Sequence, residues 1–105
     1  MADREKIVYE INAEIKKVFP DASVILYGSQ ARGDATDNSD IDILILLNKE
    51  RVDFDTKTHI YNILYDIELK EQISVSPLIY ARHEWENRPF KTPFYLNVQQ
   101  EGIPL

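Results

Sequence analysis

Residues 28–45 read GSQARGDATDNSDIDILI. A Gly-Ser pair opens the stretch. A polar, turn-forming middle follows, and two aspartates then enter an aliphatic run. Asp40 and Asp42 stand at i and i+2, so on a strand their side chains share a face, about 6.5–7 Å apart along the chain. Two unpaired carboxylates on a buried strand would repel each other and pay for desolvation. A divalent cation between them removes both costs. Oxygen ligands with no His or Cys nearby favour magnesium or manganese over zinc. A structural alternative stays open, in which Asp40 caps the strand and Asp42 pairs with an arginine.

The flanking residues define the elements. SVILY, 23–27, is a short aliphatic strand that Gly28-Ser29 breaks, and a turn or short helix follows. GDATDNSD, 33–40, is a loop by composition. DIDILILL, 40–47, carries apolar residues on both faces after Asp42, which predicts a central strand. Upstream, Ile7, Ile11, Ile15, Val18 and Phe19 recur at helical spacing and predict a helix over 3–19, with Asp3 as its N-cap and Pro20 at its end. Downstream, Ile60, Ile63, Leu64 and Ile67 predict a second helix from 53 to about 70. ISVSPLIY, 73–80, reads as a strand that Pro77 assigns to an edge or a bulge. A short helix near 93–101 ends at Gly102. The expected fold is α/β (α+β): a small mixed sheet of three to four strands with helices packed on it, in one domain over 1–105.

Bulk properties narrow the function. The chain has 105 residues, no cysteine and a formal net charge of −6. The first excludes a second core, and the second excludes disulfides, thiolate metal sites and a cysteine nucleophile. The negative charge argues against nonspecific binding of long nucleic acid, which needs a basic surface. No apolar signal core opens the sequence, and no run reaches the length that crosses a bilayer. A cytoplasmic location is the expectation.

Gly28 and Ser29 are the candidate phosphate cradle. Glycine permits close backbone approach, the turn exposes N–H groups, and the serine hydroxyl adds a donor. Arg32 is a candidate for a phosphate or for a nearby Asp, and Gly33 permits a sharp exit into the loop. His59 and His83 read as surface residues. Trp85, Phe90, Phe94 and Tyr95 form an aromatic cluster, expected to pack as core; a docking surface is the alternative.

Gly28-Ser29, Ala31-Arg32-Gly33 and Ser39-Asp40-x-Asp42, in this spacing, resemble the signature of the nucleotidyltransferase superfamily related to DNA polymerase beta. The match is close to the minimal nucleotidyltransferases, small domains often paired with a helical HEPN protein. The element order, the length and the tail PFYLNVQQEGI are similar as well. The resemblance implies that Gly28, Ser29, Arg32 and Ser39 bind nucleotide and that Asp40 and Asp42 are catalytic and hold two Mg2+ ions. It implies transfer of a nucleoside monophosphate, AMP from ATP or another NTP, to a hydroxyl acceptor on a partner protein. Members of the superfamily usually carry a third carboxylate on a later strand. ISVSPLIY offers Ser74 and Ser76 there, with Glu68 and Glu71 just upstream. A hydroxyl is a poor magnesium ligand and no base at neutral pH. The alternative is therefore a catalytically weak or inactive, antitoxin-like subunit that binds a HEPN-type toxin. An antibiotic-modifying enzyme ranks last, because it needs an acceptor-binding domain.

Overall fold

The run from Ile41 to Leu47 is apolar on both faces because it lies between two layers. A computed structural model describes residues 3–105, so the first two residues of the expected 1–105 domain lie outside it. The elements are α1 (Arg4–Val18), β1 (Ser23–Tyr27), α2 (Gly28–Arg32), β2 (Ile41–Leu47), α3 (Phe54–Glu71), β3 (Val75–Ala81), α4 (Arg82–Glu86), α5 (Pro93–Glu101) and β4 (Ile103–Pro104). The sheet order is β3-β2-β1-β4. β2 runs antiparallel to β1 and parallel to β3, and β4 is antiparallel to β1. β2 is therefore central, and the Pro77 strand β3 is an edge, where a missing N–H is tolerated.

Alternation along β2 divides the core. Ile41, Ile43, Ile45 and Leu47 point to one face and pack with Ile7, Ile11 and Ile15 of α1 and Ile60, Leu64 and Ile67 of α3. Leu44 and Leu46 point to the other, with Tyr27, Trp85, Tyr95 and Val98. By the same alternation Asp42 belongs to the second face, at the end that α4 and α5 leave uncovered.

The ends of the helices follow local chemistry. Asp3 caps α1, accepting from the Lys6 N–H at 3.2 Å. Asp53 caps α3 through the Thr56 N–H at 2.8 Å. Thr92 caps α5, with Pro93 in its first turn. Gly33 ends α2 with φ of +83°, in the left-handed region that favours glycine. α5 ends at Gly102, as expected.

Some expectations need correction. Val18, the last residue of α1, is exposed, while Phe19 after it packs on the core. Of the aromatic cluster, Trp85 and Tyr95 are core, whereas Phe90 is 79% and Phe94 45% exposed. Phe94 still packs edge-on against Tyr27. Trp85 stacks between Tyr80 and Tyr95, and the Arg88 guanidinium covers its ring 5.0 Å away. Two short elements, α4 and β4, carry no sequence period long enough to read. Both histidines are exposed.

Candidate active site

β1 delivers Tyr27 directly opposite Asp42 on β2, and β3 sets Ser76 opposite Asp42 on the other side. The end of the central strand thus gathers a tyrosine, an acid and a serine in a row. Asp40, one step ahead of β2, closes the row: the Ser76 hydroxyl donates to its Oδ2 at 3.0 Å. Ser76 therefore takes the sheet position from which a third carboxylate would reach the pair. Among the described residues no cluster of three His, Cys, Asp or Glu forms a metal site. Glu68 is already engaged, its Oε2 accepting from the Val75 N–H at 2.9 Å where the chain turns into β3. Glu71 lies beside Lys70 at 3.9 Å in the last turn of α3.

Gly28 adopts φ of +75° and packs so tightly on Asp42 that a Cβ at position 28 would overlap the carboxylate. Only glycine meets both conditions. The turn that follows β1 is thereby pressed against the acid pair. Its first N–H is spoken for, since Gly28 donates to Glu101 Oε1 at 3.2 Å. The N–H groups of Ser29 and Gln30 remain in the first turn of α2, where intrahelical partners do not exist. Arg32 is exposed and divides its guanidinium between Asp34 at 3.3 Å and Glu101 at 3.3 Å. The Ser39 hydroxyl accepts from the Thr36 N–H at 3.0 Å and shapes the loop.

Two residues with no motif complete the frame. Arg4 of α1 donates to Gln30 Oε1 and to the Ser39 carbonyl, each at 2.6 Å, and so ties α2 to the loop that delivers Asp40. Glu101 ties the end of α5 to Gly28 and Arg32. A long-range side-chain contact leaves no local pattern, so the only sequence signal for either was charge near an element end.

Burial, and then the charge of Asp40, raise the Asp42 pKa above the ordinary carboxylate value; Arg32 partly offsets them. Tyr27 is pushed up to about 12, by burial first and by Asp42 next, so its phenol stays protonated. The donor set is hard oxygen: two carboxylates and one hydroxyl. It fits a divalent cation that takes its remaining ligands from water or phosphate, and such a cation would relieve the repulsion that raises Asp42. A cleft of about 430 Å³ borders the outer side of Asp40, lined by Asn38, Ser39, Tyr65, Glu68 and Ser74.

A mixed sheet with an acid pair at the start of its central strand, butted against a Gly-Ser turn, is the arrangement of a nucleotidyl-transferring domain. Residues 8–95, most of the chain, match the nucleotidyltransferase domain family model. The chain belongs to that family. It is 36% identical over 102 residues to "Putative protein adenylyltransferase MJ0141" of Methanocaldococcus jannaschii, covering 95% of this chain and 96% of the relative. It is 37% identical over 82 residues to "Putative protein adenylyltransferase MJ0604" of the same organism, covering 78% and 75%. No helix among the described residues is long and apolar enough to cross a membrane.

Proposed function

We propose that the chain transfers AMP from ATP to a hydroxyl group of a partner protein, with Mg2+ held at Asp40 and Asp42. One observation carries this: the two acids share a face beside the Gly28–Ser29 turn, which Gly28 presses onto Asp42. The names of the two relatives support adenylyl transfer to protein. Bound Mg2+ would supply charge neutralisation at the phosphates and lower the pKa of the attacking hydroxyl.

The residues of this chain bind and orient. Ser29 offers its amide and hydroxyl to the β- and γ-phosphates. Asp40 and Asp42 would hold the ion beside the Gly28–Ser29 turn. The acceptor oxygen bonds to the α-phosphorus while the bond to the bridging oxygen breaks, and pyrophosphate leaves on the Ser29 side. The acceptor's proton passes to solvent, which reaches the exposed Asp40. Positioning and charge stabilisation provide the rate. The family resemblance makes a HEPN-type helical protein the candidate acceptor.

A cell extract supplied with α-labelled ATP and Mg2+ tests the proposal. The chain should place acid-insoluble label, released as AMP by phosphodiesterase, on a protein. Asp42→Ala should abolish the label, and label that persists in this variant refutes the assignment. Ser76 favours a second reading, binding without turnover. Under it, Asp40→Ala and Asp42→Ala would leave complex formation and neutralisation of a HEPN-type toxin intact.

A further inference from the structure

We infer that Glu101 is a positioning residue for nucleotidyl transfer, holding the Gly28–Ser29 turn against the acid pair from the far side of β1. This role presupposes the transfer proposed above and adds a residue from the tail to it.

The basis is a register. β1 and β4 pair Ile25 with Pro104 and Leu26 with Ile103. Carried two residues further, the same antiparallel register sets Gly28 opposite Glu101. No backbone ladder forms there, because Gly28 has entered α2 and Glu101 still belongs to α5. The Glu101 side chain replaces the missing strand, and its Oε1 accepts the Gly28 N–H at 3.2 Å. β1 lies between β2 and β4, so this donor points to the β4 side, away from Asp42. The carboxylate therefore takes the Gly28 amide from the β4 side and does not occupy the β2 side, where Asp42 lies. Gly28 is gripped from two sides, by Asp42 against its Cα and by Glu101 on its N–H.

Glu101 is itself held. Its Oε1 and Oε2 accept from Arg32 Nη1 at 3.3 and 3.4 Å. The Gly102 N–H donates to the Val98 carbonyl at 2.8 Å. Beyond it, the Leu105 N–H donates to the Val24 carbonyl at 2.8 Å, and Lys16 Nζ donates to the Leu105 carbonyl at 2.9 Å. The exposed Arg32 pair contributes little by itself. The bond to the half-buried Gly28 amide is the contact that reaches the turn, and it needs only the side chain's length and one acceptor oxygen.

The test compares side-chain length with charge. Glutamine keeps the reach and an acceptor oxygen; aspartate keeps the charge and loses the reach. In the labelling assay above, Glu101→Gln should retain at least about half of the wild-type rate. Glu101→Asp and Glu101→Ala should lose about 10- to 100-fold in kcat, as a small misplacement of reacting groups does, with KM for ATP changed by less than about threefold. Gly28 amide exchange, read by NMR, should speed up in Asp and Ala and stay slow in Gln. If Asp transfers at the wild-type rate while its Gly28 amide exchanges fast, the brace is structural only and the inference falls. It also falls if Gln loses as much as Ala, or if any variant binds ATP more tightly than wild type, which would mark Glu101 as a competitor of phosphate. A wild-type chain that labels nothing overturns the transfer itself before any variant is made, and this role with it.

Discussion

Gly28 and Asp42 are in direct van der Waals contact across β1 and β2, with no room for a methyl group between them. Fixing one fixes the other, so the Gly28–Ser29 turn and Asp42 hold their positions together. Gly28→Ala should push Asp42 out of place and strain a backbone held at φ of +75°. We expect labelling to fall by at least about 100-fold, the effect of displacing reacting groups by about 1 Å. Stability should drop by about 1–3 kcal/mol in a urea titration.

Ionised Asp42 destabilises the fold. Its pKa is raised in the folded chain, by burial first and by Asp40 second. The folded state therefore binds the proton more tightly than the unfolded state. The resulting penalty is absent at pH below the unfolded value, grows as pH rises toward the folded pKa, and is complete above it. Asp42→Asn should raise the melting temperature at pH 7 and should give no gain at pH 3. The same variant should lose transfer. EDTA should abolish wild-type transfer and leave the Asn variant's melting temperature unchanged.

Ser76 lies opposite Asp42 and bonds to Asp40, so Ser76→Asp adds a carboxylate to the row. Without metal, three acids should repel one another and lower the melting temperature. With millimolar Mg2+ that loss should be recovered, and the transfer rate should rise by about tenfold or more through a third ligand and a base. Calorimetric Mg2+ titration of both chains checks the affinity. An unchanged affinity would show that position 76 does not reach the ion.

Trp85 is buried between Tyr80 and Tyr95 beneath Arg88. Trp85→Ala should cost about 3–5 kcal/mol, measured by chemical denaturation. The loss should fall on the α4–α5 layer, whose own end holds Glu101.

The local signals were strong where the physics is local. Apolar residues on both faces of 41–47 require a central strand, because nothing else buries both sides of an extended chain. Asp40-x-Asp42 shares a face because the strand repeats every two residues. The signals at Pro77 and Gly33 each follow from a single backbone constraint, and the one at Asp3 from a local side-chain cap. Sequence alone therefore determined the order of the longer helices and strands, the layered sheet and the placement of the two acids at the start of one strand.

Tertiary structure decided which partners each group meets. Arg32 has the charge to bind phosphate, yet Asp34 and Glu101 hold it, one nearby in sequence and one at the far end of the chain. Ser39 belongs to the motif, yet its hydroxyl turns back to the Thr36 amide. β4 has two residues and no period to read; it exists because the tail returns along the edge of β1. Glu101 reaches Gly28 by the register of that return. Such pairings depend on distances that close only after the chain has folded, so no local pattern of residue types encodes them.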